Sequence, residues 1–227
     1  MKILARGEKI RTEELKQKLS SIDIDWVVKD DTDFTGTNLR DFDIIFDLNF
    51  DDREGLINEY AVLEAKPVFV SAVKKQLAQC TLVYDRAVHC ALFGLNALPT
   101  FINRSLAEVT ALSDKDKEVL QQVMAQLQWD YKLVEDRVGM ITPRVVLMII
   151  NEACYTVQEG TATMKDIDTS MKLGTNYPHG PFEWADKIGI KHVYEVLAAM
   201  YEDTKDERYK ICSLLKTNYL KRESFYH

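Results

Sequence analysis

Along the first 138 positions, apolar residues come in short runs separated by polar, helix-patterned stretches. KILA at 2–5 reads as a strand. Residues 11–20 (RTEELKQKLS) read as a helix with Thr12 as N-cap. Glu13 and Glu14 then fall in the first turn, where the helix dipole favours acid. IDWVV at 24–28 and DIIFDL at 43–48 are further strands, and 52–64 has the pattern of a helix. PVFVSAV at 67–73, TLVY at 81–84 and CALFGL at 90–95 continue the strand series. Ser113 opens a helix at SDKDKEVLQQVMAQL, and YKLV at 131–134 closes the set. Strands interleaved with helices predict a parallel, Rossmann-like α/β sheet.

The pattern changes near residue 139. Residues 144–158 (RVVLMIINEACYTVQ) are apolar almost all round at first, which suits a buried central helix. Thr163 precedes a short helix that stops at Gly174, read as a C′ glycine. Pro181 sits where a first-turn proline belongs, and Gly189 ends that helix. Residues 190–202 and 206–217 read as two more helices, and KRESFYH as a ragged end. The expected organisation is an α/β domain over 1–138 followed by an all-helical domain over 139–227.

Composition narrows the function classes. The 227 residues carry 29 Lys and Arg against 36 Asp and Glu, a net charge of −7. A nucleic-acid binder needs a basic excess or stripe, and neither is present. No apolar stretch reaches the length of a membrane span. The start turns charged at once and has no apolar core of signal-peptide length. The four cysteines, Cys80, Cys90, Cys154 and Cys212, form no CxxC pair. These features predict a cytoplasmic protein with reduced, buried thiols. Nine glycines give neither GxG nor P-loop spacing, so the two commonest phosphate cradles are missing.

The segment KDIDTSMKLGTNYPHGPFEWADKIGI at 165–190 resembles the C-terminal domain of NAD-dependent 3-hydroxyacyl-CoA dehydrogenases. That family writes D-I-D-x-A-M-K-L-G-x-x-Y-P-M-G-P-F-E there. The match runs through Asp166, Asp168, Met171, Lys172, Gly174, Tyr177, Pro178, Gly180, Pro181 and Glu183; His179 stands where the family usually has Met. EDRVGMITPRVVLMIINEA upstream and YEDTKDERYKICSLLK at 201–216 extend the likeness over essentially the whole second domain. The resemblance implies a homodimer through the helical domain, NAD as cofactor and an acyl-CoA as ligand.

It also implies a set of altered site positions. The family's base is a histidine in G-L-H-F-F-N-P, oriented by a glutamate twelve residues later in a strand. Gly94 and Leu95 align here, Asn96 takes the histidine's place, and Glu108 in LAEVT keeps the glutamate. An amide takes no proton at neutral pH. Pro143 replaces an asparagine placed near the substrate carbonyl, and Lys74 replaces a substrate-contacting serine. Of the family's glycine-rich turn only Gly7 survives, flanked by Arg6 and Glu8. Asp30 or Asp31 stands where an acidic ribose contact is expected, though aspartates in a polar loop are commonly plain turn residues. Asp47 and Asp51 resemble acidic positions at the end of a family strand. The family's CoA-contacting helical excursion is cut to about 14 residues, acidic in character, after the second strand, which makes the first domain a truncated one.

Other constellations carry less. His89 and Cys90 are neighbours in a strand and so point to opposite faces. His192 and His227 have no partners at metal spacing. Trp26, Trp129 and Trp184 read as core or interface anchors. The sequence thus predicts a degenerate family member of acyl-CoA (fatty acid) metabolism with its NAD-dependent dehydrogenase activity impaired or lost. Two alternatives remain: an active dehydrogenase with Glu108 or His89 as a rebuilt base, or a dimeric regulatory protein binding a small ligand, such as an anion drawn by Lys74 and Arg144.

Overall fold

Short, near-continuous apolar runs build a sheet covered on both faces. The computed structural model describes residues 1–30, 37–53, 57–82, 84 and 87–226. They divide into two compact units, Met1–Met140 and Ile141–His227. The first unit holds strands β1 (Lys2–Arg6), β2 (Asp25–Lys29), β3 (Ile44–Asp47), β4 (Pro67–Ser71), β5 (Ala91–Leu95), β6 (Leu106–Ala111) and β7 (Asp130–Leu133). Their order in one sheet is β2-β1-β3-β4-β5-β6-β7. All neighbours are parallel except β5 and β6, so β6 and β7 run against the other five.

Helices α1 (Lys9–Lys18), α2 (Ile57–Tyr60), α3 (Leu77–Leu82) and α4 (Asp114–Gln126) belong to this unit. One face of the sheet, with Ile3, Ala5, Phe46, Phe69 and Phe93, packs with Leu15 and Leu19 of α1 and Leu120 and Val123 of α4. The other face, with Leu4, Ile45, Val68 and Val70, packs with Tyr60 of α2 and Leu77 of α3. Phe46, Phe69 and Phe93 occupy matching register positions on β3, β4 and β5. Their rings stand 4.8 and 4.9 Å apart, an aromatic ladder across the middle of the sheet.

Several local expectations change. Helix α1 begins at Lys9 with Glu8 as N-cap, and no side chain caps it. Thr12 lies inside it, its hydroxyl donating back to the Lys9 carbonyl at 2.9 Å. Of the strand expected at 81–84, Thr81 and Leu82 instead end α3, and Val83 lies outside the described residues. The Asp136 carboxylate accepts from the Leu77 and Ala78 N–H groups at 2.7 and 2.8 Å, a cap supplied from far along the chain. Within the helix expected over 52–64, the described residues show the end of a 3-10 turn at Phe50–Asp52 and α2 at Ile57–Tyr60, and residues 54–56 lie outside the described residues. Strand β6 has no signal in the apolar pattern; only the family likeness placed Glu108 in a strand. Ser113 caps α4 as expected, accepting from the Asp116 N–H at 3.1 Å.

The second unit is helical: α5 (Thr142–Gln158), α6 (Met164–Thr175), α7 (Pro181–Ile188), α8 (Ile190–Thr204) and α9 (Ser213–Lys221). Thr163 caps α6 as expected. The left-handed residue that ends α6 is Asn176, φ 56°, and Gly174 stays within the helix. The helix expected over 206–217 is broken because Asn151 of α5 ties down an extended stretch before α9. Its Nδ2 donates to the Lys210 carbonyl and its Oδ1 accepts from the Cys212 N–H, both at 2.9 Å.

The ragged end proves to be a strap. The Asp186 carboxylate accepts from the Phe225 and Tyr226 N–H groups at 2.8 Å each. The Phe225 ring is buried edge-on against Phe182 at 4.8 Å. The Tyr226 hydroxyl donates to Asp168 Oδ2 at 2.9 Å. Asp168 also caps α7, accepting from Phe182 and Glu183 N–H at 2.9 and 3.1 Å. Gly180 is required beside it, since a Cβ there would lie 2.3 Å from Asp168 Cβ.

Among the described residues, no helix is long and apolar enough to cross a membrane. Phe225→Ala is expected to destabilise the second unit by about 3 kcal/mol, the cost of emptying a buried aromatic site. Urea unfolding of the full chain reads this out; an unchanged midpoint would show the strap to be idle.

Candidate functional site

The chain lays β2 on one side of β1 and β3 on the other, so the winding direction reverses between β1 and β3. In open α/β sheets such a reversal leaves a crevice beyond the carboxyl ends of the strands, where ligands bind. Arg6 ends β1, Asp47 ends β3, and the two are register partners. Arg6 is 3% exposed, and Asp47 and Tyr60 are fully buried. Arg6 Nη1 donates to the Tyr60 hydroxyl at 2.7 Å and to Glu59 Oε2 at 2.9 Å. The Tyr60 hydroxyl donates to Asp47 Oδ2 at 2.6 Å, and Arg53 pairs with Asp47 Oδ1.

Burial pushes the Asp47 carboxyl above the ordinary range, against the pull of Arg53, Tyr60 and Arg6. Burial, and then the Asp47 charge, also raise Tyr60 well above the usual phenol value, so it stays a neutral donor.

The turn from β1 to α1 is where a dinucleotide's pyrophosphate would have to approach backbone N–H groups. The two N–H groups nearest the strand end are already used. Gly7 N–H donates to the Lys29 carbonyl at 3.2 Å, and Glu8 N–H donates to Asn49 Oδ1 at 3.1 Å. Gly7 has φ 144°, and a Cβ there would lie 2.9 Å from Asn49 Oδ1 and 3.0 Å from Leu48 Cβ. The Glu8 carboxylate faces Arg11, 3.3 Å away, and the fully buried Arg11 donates to the Leu48 carbonyl. These residues do not fit a bound NAD. Asp30, the remaining ribose-contact candidate, is exposed at the end of β2. Asp31 lies outside the described residues.

The positions that would carry proton transfer lie at the other end of the same sheet edge. The antiparallel β5–β6 register pairs Gly94 with Thr110 and Leu95 with Val109. Asn96 therefore comes opposite Glu108, and its N–H donates to the Glu108 carbonyl at 3.1 Å. Directly opposed residues present their side chains on one face. Asn96 is 4% exposed and Glu108 is 8% exposed. Asn96 Oδ1 is buried and finds no hydrogen-bond partner among the described residues. Gly94 lies close beside them: a Cβ there would lie 2.5 Å from Thr110 Cγ2 and 2.9 Å from Ala72 Cβ.

Lys74 follows β4. Its N–H donates to Asp51 Oδ2 at 3.0 Å, and its ammonium pairs with Asp52. Its charge is thereby matched inside the protein, which weakens the expectation that it draws an anion. Gly139 N–H donates to the Val73 carbonyl at 2.7 Å, closing the loop around it.

In the second unit, Pro143 is buried in the first turn of α5. Beside it Arg144 Nη1 donates to the Tyr209 hydroxyl at 2.5 Å and lies over that ring, so it too is engaged internally. A groove of about 430 Å³ opens between α5, α6 and the start of α7, walled by Ile149, Ala153, Ile167, Met171 and Pro181. Glu152 and Asp166 also line it. Leu173, on α6, is 83% exposed.

Arg11, Asn49, Arg53, Glu59 and Tyr60 were not legible as site residues. Each acts through a partner more than five positions away, and no fixed spacing marks such pairs. Only Asp47 had a signal, through the family likeness.

Residues 139–224 match the family described as "3-hydroxyacyl-CoA dehydrogenase, C-terminal domain". A 3-hydroxybutyryl-CoA dehydrogenase of Bradyrhizobium diazoefficiens is 29% identical over 217 residues, covering 92% of this chain and 71% of that protein. A 3-hydroxyadipyl-CoA dehydrogenase of Escherichia coli is 31% identical over 160 residues, 70% of this chain. That match spans only 31% of the Escherichia coli protein's length. Among solved structures, (S)-3-hydroxybutyryl-CoA dehydrogenase from Ralstonia eutropha superposes with a TM-score of 0.75 at 19% identity, covering 97% of this chain and 94% of that one. This last likeness shows the fold.

The cysteines stand apart from any such chemistry. All four are free and buried. Burial pushes Cys80 up to about 11 and Cys90 up to about 12, and raises Cys154 and Cys212 as well. A raised thiol pKa means the protonated, unreactive form at pH 8. A thiol-specific reagent at pH 8 should therefore show no fast phase with folded protein and four equivalents after unfolding. A burst of one equivalent in the native state would contradict this.

Proposed function

The chain belongs to the 3-hydroxyacyl-CoA dehydrogenase family, and on that premise we propose that it is a dimeric, non-catalytic member acting in acyl-CoA metabolism. One observation carries the reading. The β5–β6 register sets Asn96 opposite Glu108, so an amide occupies the position where the family likeness calls for the base. Oxidising a 3-hydroxyacyl group requires the hydroxyl proton to leave as the hydride does, and a base with a pKa near the working pH serves that step. The Asn96 amide has no such pKa. Glu108 keeps its carboxylate, but the residue the register sets opposite it is an amide and not an imidazole. The lack of fit for NAD at the β1–α1 turn points the same way.

Assayed with NADH and acetoacetyl-CoA at high enzyme concentration, the protein is expected to give a flat progress curve. Turnover that collapses in Glu108→Ala would overturn the reading in favour of a rebuilt active site.

The groove on the helical unit supports the dimer. Its wall is apolar, and the exposed Leu173 lies on one of the helices that form it. Exposed apolar surface of this kind marks protein contact. Light scattering should give twice the 26.1 kDa chain mass. Leu173→Glu should shift the protein toward monomer; a monomeric unmodified chain would overturn this part.

A further inference from the structure

We propose that the crevice at the β1–β3 switch point is a self-filled site: Arg6, Asp47, Tyr60 and their ion-pair partners occupy the place a dinucleotide would take, and they hold the first unit folded without a ligand. The inference rests on the family reading only for the identity of the missing ligand. The closure itself follows from the geometry.

Position comes first. The central pair, Arg6 and Asp47, consists of the last residues of the two strands that flank the reversal, in register with each other. A ligand in this crevice would have to meet these two side chains. Neither faces solvent: Arg6 is 3% exposed and Asp47 is fully buried.

Charge comes second. A diphosphate is recognised by cations and N–H groups that lack a stronger internal partner. Here Arg6 is matched by Glu59, and Arg53 by Asp47. Arg11 lies against Glu8, and Lys74 against Asp52. The neutral Tyr60 hydroxyl bridges the two halves of the inner network, accepting from Arg6 and donating to Asp47. Burial lowers the Arg6 pKa, but Tyr60, Glu59 and Asp47 around it outweigh that and hold it above its ordinary value. The network therefore presents no uncompensated positive charge to an anion.

Space comes third. The one glycine left at the turn lies against Leu48 and Asn49, whose side chain takes the Glu8 N–H that a phosphate oxygen would otherwise accept from. Admitting a nucleotide would require Asn49 to leave and the Arg6–Asp47–Tyr60 network to open. Separating such a network leaves charges in the interior without partners, which is strongly unfavourable.

The test uses the full chain with NADH, NAD and ADP-ribose as probes, followed by nucleotide fluorescence, calorimetry and thermal melting. The expected result is no saturable binding up to about 1 mM and no shift in Tm. For comparison, a site with a Kd near 10 μM would raise Tm by several degrees at that concentration. With no nucleotide present, Tyr60→Phe and Arg6→Met are expected to lower Tm by several degrees. If Arg6→Met fails to fold, Tyr60→Phe still reads the network, because it removes only a hydroxyl.

Saturable micromolar binding of NADH to the unmodified chain would overturn the inference. So would a Tyr60→Phe variant as stable as the parent. The two readings separate cleanly: NADH binding without reduction of acetoacetyl-CoA sinks the self-filled crevice alone, whereas reduction sinks the non-catalytic reading.

Discussion

A carboxylate removed from water must be surrounded by donors, and Asp47 imposes that requirement on the upper edge of the sheet. Its two oxygens bring Arg53 and Tyr60 inward. Tyr60 in turn fixes Arg6, and Arg6 reaches Glu59. Asp47 thereby ties Arg53 and, through Tyr60, α2 to the ends of β1 and β3. The core beneath is apolar and layered, held by the Phe46–Phe69–Phe93 ladder. A Rossmann-like sheet normally leaves its carboxyl edge open for a ligand, and here side chains of the chain itself lie at that edge.

The helical unit follows the same rule with other residues. Asp168 caps α7 and receives the Tyr226 hydroxyl, while Asp186 receives two backbone N–H groups of the strap. Asn151 does comparable work with an amide, holding the stretch that leads into α9. In each case one polar side chain, buried or nearly so, satisfies backbone groups that no regular element could pair. These anchors explain why segments of weak local pattern are ordered.

How much of this was legible follows from the range of the interactions. The apolar runs in KILA, DIIFDL and PVFVSAV are short and local, so the strands could be placed from them. Ser113 and Thr163 cap helices three residues ahead, and they too were read correctly. Asp136 caps α3 from 59 residues away, which no local pattern reports, and TLVY was mistaken for a strand. Phe225 and Tyr226 looked like an ordinary polar end because their partners, Asp186 and Asp168, lie 39 and 58 positions back. The Asn96 and Glu108 positions were accessible only through likeness to a family; the register adds that they face each other. Of the crevice network, Arg6 and Asp47 were named only through the family likeness, and their links to Arg53, Glu59 and Tyr60 had no signature, being made of common residues at irregular intervals.

The two altered features differ in how they could be undone. Asn and His codons are one nucleotide apart, so the residue opposite Glu108 lies a single step from the family's base. The Arg6–Asp47–Tyr60 network has no such route back. Removing any one member strands a buried partner, and a lineage attempting the return would pass through destabilised intermediates. Selection for folding alone would then keep the crevice closed, whatever the pressure on ligand binding. The network acts in this sense as an evolutionary ratchet: once formed, it is kept by the demands of folding itself.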